Sequence, residues 1–367
     1  MQPVLNSLEP INAEWRAFLA HAGAVFEEER VLHYGNPQAE RHSAANADVL
    51  ADLSHLAVLR AEGTEAQSFL QGQLSNDIRL VTSARAQLSA YCNAKGRMYS
   101  IFLVFQRTDG AYHLQLPASI AEPTLKRLRM FILRAKLKLE FAGNDFGCIG
   151  LSGPKAEASL KNVLGDAPEN NYDSITSNNV TAIRLPGLHA RYTIHAPLER
   201  LMSLWQSLST MATPVGAGPW SWLDIMAGIP VILPGTVEEF VPQMANLDLV
   251  DGVSFTKGCY PGQEIVARMH YLGRLKQRLY RAHVQSERPV QPGGSIHAPG
   301  FGEQAAGMVV DGQPSPRGGY DLLAVIQIGS AQAGDLHLHD TQGPRIMLEA
   351  MPYPVPVNRD GGQQSLS

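Results

Sequence analysis

The order of elements between residues 147 and 211 constrains the fold more than any other feature of the sequence. A predicted strand at 147–152 is followed by a helix at 154–164, two strands around a Pro-Gly turn, and a helix at 197–211. The turn, Pro186 and Gly187, separates runs with the composition of paired strands. The resulting β-α-β-β-α order is most of a ferredoxin-like unit, so the sequence predicts an α+β fold.

The region before this unit alternates helices, strands and polar loops. Thr64 and Gln67 have the spacing of a capping box, which predicts a helix that ends near Gly72. Pro123 predicts the first turn of another helix, where proline's missing amide donor costs nothing. The other predicted elements are a helix at 12–26, a loop at 35–48, a strand at 56–59 and a hairpin of strands 98–106 and 112–116.

The pattern becomes all-β after Glu264. Short segments separated by Gly and Pro turns predict a small β-barrel, and the Pro/Gly/Gln/Ser-rich tail predicts no fixed structure. The predicted organisation is an N-terminal α+β region at 1–145, a ferredoxin-like region at 146–274, a barrel at 275–353 and a tail at 354–367, with the first two regions able to interleave.

Composition excludes several classes of protein. The chain has 367 residues, 44% of them hydrophobic and 17% charged, as in a folded protein of two or three domains. A net charge of −4 gives no bulk attraction for nucleic acid or anionic membrane. The sequence contains no run of apolar residues that could span a membrane and no charged, apolar leader at its start, so we expect a cytoplasmic location without membrane partners.

Cysteine and histidine usage predicts no permanent metal. Cys92, Cys148 and Cys259 stand far apart without C-x-x-C spacing, which argues for a reducing compartment and against a zinc site or disulfide framework made from cysteines alone. His337 and His339 alternate on one predicted strand, where a solvated face is the better interpretation than a metal site.

The informative polar groups cluster in three glycine-punctuated loops, at 71–77, 91–97 and 257–264. Loops that follow regular elements are the usual place for binding residues on a rigid scaffold. In the third loop Lys257 stands two residues from Cys259, and a nearby cation favours the nucleophilic thiolate. The sequence therefore predicts a reactive thiol at Cys259 assisted by Lys257; the alternative is a surface turn with a chance cysteine.

Two further patterns have both a functional and a structural interpretation. Trp220 and Asp224 lie four residues apart, so a helix would place a ring and a carboxylate on one face, as a clasp for a flat heterocycle or as part of the core. The helix at 124–138 carries cations without an acid, which indicates either a solvated face or a patch that contacts RNA or another anion. The cations of that patch are Lys126, Arg127, Arg129 and Arg134.

Residues 257–264, Lys-Gly-Cys-Tyr-Pro-Gly-Gln-Glu, resemble the K-G-C-Y/F-x-G-Q-E motif of the YgfZ family of folate-binding proteins. Residues 69–77 and 93–97 are similar to that family's two N-terminal motifs, and 227–230 and 240–247 continue the match in the same order. The resemblance implies the three-domain fold of the glycine-cleavage T-protein, an aminomethyltransferase, around a central opening that holds tetrahydrofolate.

The resemblance also implies a role and a set of site residues. The role is the maintenance of iron–sulfur enzymes, including the radical enzyme that methylthiolates tRNA, and Cys259 is the residue on which this activity would depend. A second tryptophan that many relatives use against folate is replaced here by Leu56. The implied folate-binding residues are Trp220, Asp224, Leu56, Asn76, Asn93, Lys95, Arg97, Tyr260, Gln263 and Glu264.

Three positions depart from the T-protein pattern. Ser100 and Ile101 stand where the transferase has acidic residues, and Met226 replaces its folate-gripping glutamate, so glycine-cleavage activity is not expected. The leading hypothesis is a folate-binding accessory factor for iron–sulfur enzymes that supports tRNA methylthiolation. The alternatives are a folate-dependent one-carbon transferase or demethylase acting on a small amine, and a non-catalytic RNA or protein adaptor that uses the basic helix.

Overall fold

The computed structural model describes residues 11–143, 146–271, 273, 275–302 and 304–356. Its helices are α1 (Ala13–His21), α2 (Pro37–Asn46), α3 (Ala66–Gln71), α4 (Ala118–Arg129), α5 (Ala156–Leu164), α6 (Leu198–Leu208), α7 (Ala217–Met226), α8 (Gln263–Tyr271) and α9 (Ile328–Ala333). None of these helices is long and apolar enough to cross a membrane.

The strands form three larger sheets and one short hairpin. They are β1 (Val25–Glu27), β2 (Arg30–His33), β3 (Val49–Asp52), β4 (Leu56–Glu62), β5 (Gln87–Cys92), β6 (Met98–Gln106), β7 (Tyr112–Pro117), β8 (Lys138–Phe141), β9 (Phe146–Gly153), β10 (Ser174–Ser177), β11 (Val180–Leu185), β12 (Ala190–Pro197), β13 (Thr213–Val215), β14 (Gln277–Val284), β15 (Ser295–His297), β16 (Gly307–Pro314), β17 (Tyr320–Gln327), β18 (His337–Leu338) and β19 (Ile346–Glu349).

The first sheet has the order β5-β6-β7-β4-β8. Its strands pair antiparallel, and the predicted hairpin of β6 and β7 is present. All the residues of β5 and β7 are buried, because α3 and α4 contribute to the same core as this sheet. The buried apolar side of α4 includes Ile120, Leu125 and Leu128.

The second sheet has the order β10-β11-β12-β9-β3-β13. The ferredoxin-like order is present, with β3 inserted between β9 and β13. The chain before residue 53 therefore completes the sheet of the middle region, and the first two regions interleave. Helices α1 and α6 pack on this sheet through Trp15 and Trp205, whose rings meet edge to face at 5.8 Å.

The C-terminal sheet, β18-β15-β16-β17-β14-β19, is antiparallel and curls into a half-barrel. It is connected to α7 by a buried hydrogen bond, in which Trp222 Nε1 donates to Asp321 Oδ2 at 2.7 Å. His283 Nδ1 lies 2.8 Å from the other oxygen of that carboxylate. Strand β15 was not predicted from the sequence, because it is three residues long. In the tail, 354–356 have no regular structure and 357–367 lie outside the described residues.

Four local predictions were wrong. The polar stretch 35–48 is a helix rather than a loop, since Pro37 occupies its first turn and Asn36 accepts from Ala39 N at 3.1 Å. Helix α3 begins at Ala66 after Glu65, without a side-chain capping bond. Pro123 lies inside α4, which starts earlier, after Pro117. The chain after Glu264 first completes α8 before it becomes all-β.

Candidate functional site

Lys257 brings the first and third motif loops together. Its side chain is buried, and Nζ donates to the carbonyl oxygens of Gln71 at 2.7 Å, Leu74 at 2.5 Å and Asn76 at 2.9 Å. Burial lowers the pKa of Lys257 to about 8, so the group is an ammonium with three protons at neutral pH. All three donors hold the first loop.

The second and third loops meet at two glycines. Gly262 has a φ of +83°, and a Cβ on it would lie 2.5 Å from Asn93 O and 2.6 Å from Gly96 Cα. Asn93 shapes its own loop, because its Oδ1 accepts from the backbone amides of Lys95 and Arg97 at 2.8 and 3.0 Å. The three loops predicted from the sequence as binding loops therefore form one cluster, which we call the motif cluster (71–77, 91–97 and 257–264).

Several predicted folate contacts make hydrogen bonds that connect the motif cluster to neighbouring segments of the chain. Asn93 Nδ2 donates to Glu238 Oε1 at 2.7 Å, and Arg97 Nη1 donates to Glu239 O at 2.5 Å. Asn76 Nδ2 donates to Leu88 O at 2.9 Å and Asp251 O at 2.6 Å. These side chains fix the backbone of the loops, while the Lys95 side chain is exposed.

Cys259 is the exposed cysteine of the chain, whereas Cys92 and Cys148 are buried and burial raises the pKa of each thiol to about 12. Beside it, Tyr260 is buried, with the Lys257 ammonium 5.3 Å from its ring centroid. His270 stacks on Phe255, with ring centroids 3.7 Å apart. In the first turn of α8, Gln263 Nε2 donates to Lys257 O at 3.4 Å and Glu264 is exposed.

A separate cleft lies between the first and second sheets. It encloses about 690 Å³ of empty space, including its open mouth, and Trp220, Asp224 and Leu56 all line it. Predicted folate contacts from two distant parts of the sequence, Leu56 and the helix that carries Trp220 and Asp224, thus share one cleft. Its other walls are mainly apolar and include Leu53, Leu88, Ile101, Leu103, Leu116, Leu185, Ile229 and Val231.

Arg191 is a polar residue of this cleft that the sequence analysis missed. The arginine is buried on β12, pairs through Nη2 with Asp224 Oδ1, and places its guanidinium carbon 4.9 Å from the Trp220 ring centroid. Trp220 is only 2% exposed and its ring packs against Gly150, so it meets the cleft at an edge. The alternation of Arg191, Thr193 and His195 along one strand face was the available signal.

Comparisons with known proteins show to which family the chain belongs. The family model of the GCVT N-terminal domain matches residues 12–222. The tRNA-modifying protein YgfZ of Colwellia psychrerythraea is 34% identical over 243 residues, which cover 66% of this chain and 74% of that protein. The chain belongs to the YgfZ family. The YgfZ proteins of Sodalis glossinidius (28% identity, 83% of this chain and 93% of the relative) and Yersinia pseudotuberculosis (30%, 68% and 76%) are similar to it as well.

The fold of this YgfZ family member is that of the T-protein. The glycine cleavage system aminomethyltransferase T of Bartonella henselae superimposes with a TM-score of 0.74 over 90% of this chain and 94% of that protein, at 16% identity. The predicted α+β, T-protein-like architecture is confirmed, including the ferredoxin-like order and the C-terminal β-sheet.

The cleft of this YgfZ family member is poor in acidic side chains. Ser100 is fully buried and Ile101 is an apolar wall, so neither supplies a carboxylate. Among the described residues that line the cleft, Asp224 is the only acid. Met226 does not line this cleft, and its Sδ lies 3.4 Å from Arg281 Nη1.

The basic helix of this YgfZ family member is partly engaged within the protein. The Arg127 guanidinium lies 4.2 Å from the Tyr99 ring centroid, and Arg129 Nε donates to Leu139 O at 2.8 Å. Lys126 is exposed on α4. Arg134 is also exposed, but it lies beyond the end of α4 at Arg129, so the helix predicted at 124–138 was too long. Within the described residues no group of three or more His, Cys, Asp or Glu side chains could hold a metal ion.

Proposed function

We propose that this chain binds tetrahydrofolate or a derivative in the cleft between its first two sheets and acts as an accessory factor for iron–sulfur enzymes that modify tRNA. The observation that carries the proposal is the convergence of Trp220, Asp224 and Leu56 in one apolar cleft. Similar proteins bear the name tRNA-modifying protein, which supports the tRNA-related part of the role.

The chemistry of the cleft fits a pterin ring. Apolar walls suit a flat heterocycle, and a few placed polar groups give it an orientation. Asp224 has a side chain that is 32% exposed and paired with Arg191, which keeps a carboxylate acceptor available at the cleft for ring N–H groups. Leu56 offers an aliphatic surface where an aromatic ring would add about 1 kcal/mol.

In the proposed function, the thiol of Cys259 is the reactive group. Its thiol is exposed on the motif cluster, where a protein partner can reach it. Strand β5 links the two places, because Leu88 lines the cleft and Cys92 joins the motif cluster. Four strand residues span roughly 13 Å. One strand thus runs from the cleft to the motif cluster that carries Cys259, which is consistent with a role that uses both places.

Folate binding is tested by titrating the full chain with 5-formyltetrahydrofolate and following tryptophan fluorescence and heat. We expect saturable binding by the wild type and about tenfold weaker binding by Asp224→Asn, which loses a charged acceptor. Asp340→Asn, on the exposed surface of the C-terminal sheet, is the matched control and should bind like the wild type. Absence of saturable binding by the wild type would refute the folate site.

The cellular role is tested by complementation in a strain that lacks its own YgfZ protein, with tRNA methylthiolation as the readout. We expect Cys259→Ala to lose support of the modification, while Thr256→Ala, an exposed change in the adjoining segment, retains it. Charge reversal of Lys126 and Arg134 should leave methylthiolation intact. Loss with the charge reversal but not with Cys259→Ala would favour the adaptor hypothesis instead.

A further inference from the structure

Arg191 keeps two polar atoms that no group in the described part of the protein satisfies. The side chain is 2% exposed and Nη2 is bound by Asp224, yet Nε and Nη1 are buried without a hydrogen-bond partner. Buried charged donors are costly to leave unpaired and are nearly always satisfied in native proteins. Because Arg191 lines the cleft, a bound ligand is the natural source of the missing acceptor.

Tyr172 repeats this pattern on the same cleft. Its hydroxyl is buried without a partner, and the residue is 6% exposed. Its φ of +66° is a left-handed conformation that a bulky aromatic residue rarely adopts. Such strain persists where the surrounding structure enforces it, and it concentrates at ligand sites. Three unpartnered donor atoms, two on Arg191 and one on Tyr172, therefore belong to one cleft.

The polar groups of the cleft form an ordered pattern. Asp224 presents an acceptor, and the Arg191 guanidinium that pairs with it presents donors next to that acceptor. The complementary ligand is a planar ring whose N–H donors stand beside a ring carbonyl. A 4-oxopteridine has this edge, since its 2-amino group and N3–H lie beside the carbonyl at C4.

We propose that Arg191, with Tyr172, makes the cleft specific for 4-oxo pterins by donating to the C4 carbonyl oxygen while Asp224 accepts from the neighbouring N–H groups. This inference rests on the proposed folate site and assigns its specificity. A 4-amino pterin would place the N–H donors of its C4 amino group opposite the N–H donors of Arg191, so neither set of donors would have an acceptor. Sites built to bond a particular polar group reject analogues that cannot supply the bond.

The test compares folic acid with aminopterin by titration calorimetry on the full chain. Aminopterin has an amino group in place of the oxo group at C4, and it therefore also lacks the N3–H of the 4-oxo ring. We expect the wild type to prefer folic acid by about tenfold or more. Arg191→Lys keeps a cation for Asp224 but lacks the planar donors, so the preference should fall below about threefold. Tyr172→Phe should reduce it partially, and Arg200→Lys, on the exposed side of α6, should leave it unchanged.

The outcomes separate the two proposals. Equal binding of folic acid and aminopterin by the wild type overturns the specificity assignment but leaves the folate site in place. An undiminished preference in folded Arg191→Lys overturns it too, and circular dichroism establishes folding. If the wild type binds neither these probes nor 5-formyltetrahydrofolate, the proposed function fails and the specificity inference fails with it. If Arg191→Lys does not fold, the wild-type comparison and Tyr172→Phe decide.

Discussion

In the sequence, Lys257 is a cation two residues from the thiol of Cys259. In the structure, its side chain holds the first motif loop, a contact that we call the Lys257 clamp. Its Nζ satisfies the carbonyl oxygens of Gln71, Leu74 and Asn76, three acceptors that the loop cannot pair within itself. A buried ammonium is tolerated here because every proton has an acceptor. The residue therefore positions the motif cluster.

Lys257→Met should therefore destabilise the fold. The substitution keeps the length of the side chain but leaves three carbonyl oxygens without a donor, which should lower the free energy of unfolding by roughly 1–3 kcal/mol. Urea unfolding of the full chain measures this. Lys95→Met, at an exposed position in the same cluster, is the control and should stay within about 0.5 kcal/mol of the wild type. Equal stabilities of the two variants would contradict the clamp.

The buried carboxyl group of Asp52 should make the stability of the protein depend on pH. Burial raises the pKa of this carboxyl group to about 6, although Trp15 Nε1 and Ser54 Oγ each donate to it at 2.8 Å. Between pH 4 and 6 the folded state binds more protons at this site than the unfolded state, so its contribution to stability falls as pH rises.

Asp52→Asn should remove that slope. Relative to the variant, the wild type should lose up to about 3 kcal/mol in free energy of unfolding between pH 4 and 6, from a shift of about two pKa units. Unfolding titrations at several pH values check this, with the exposed Glu169→Gln as control. A difference between wild type and Asp52→Asn that stays constant with pH would show that Asp52 titrates normally.

At the scale of elements, the contact between two glycine loops decides where the thiol loop sits. Gly262 and Gly96 both have left-handed φ values, and each lies where a side chain would meet the other loop. Helix α8 starts immediately after this contact, so the direction of the helix and the position of Cys259 depend on it. Glycine is needed for its backbone freedom and for its lack of a side chain.

Gly262→Ala should separate the two loops. Its Cβ would lie 2.5 Å from Asn93 O in a backbone conformation that L-residues disfavour, so we expect a loss of roughly 1–3 kcal/mol in stability and reduced support of tRNA methylthiolation. Gly258→Ala, in the same motif, has open space around its Cβ and is the matched control. Equal complementation by both variants would show that the loop contact is dispensable.

At the scale of the whole molecule, α7 joins the cleft to the C-terminal sheet. Trp220 and Asp224 face the cleft, while Trp222 on the same helix donates to the buried Asp321 of β17. The helix is apolar on most of its circumference because it contacts both sides, and so its sequence shows little amphipathic periodicity. The C-terminal sheet thereby supports the wall of the cleft.

Trp222→Phe should loosen this support. The ring is largely preserved, but a buried hydrogen bond to a carboxylate is lost, which should cost about 1.5–3 kcal/mol and lower Tm. Folate affinity should fall in parallel, because α7 carries Asp224. Tyr320→Phe, a half-buried change beside Asp321, controls for local packing. An unchanged Tm in Trp222→Phe would mean that this hydrogen bond does not contribute to the attachment of the sheet.

The sequence by itself predicted many of the elements and the three glycine-punctuated loops that form the motif cluster. Turn residues and strand composition identified the β6–β7 hairpin and the ferredoxin-like order. Both depend on local periodicity and on the positions of glycine and proline, which the sequence shows directly. Helix α2 was missed because a polar helix with few buried residues looks like a loop in composition. The motif at 257–264 identified the exposed Cys259, but not the end of its loop at α8.

Only the tertiary structure decided which residues share a site. Leu56, Arg191 and Trp220 come from two sheets and a helix, and no local pattern records that they line one cleft. The side chain of Lys257 could have reached Cys259 or the first loop, and the three carbonyl oxygens decided the outcome because a buried ammonium must satisfy all its protons. The proposed role of Arg191 also depends on the tertiary structure. Its partner Asp224 lies on another element, and two of its donor atoms have no partner among the described residues.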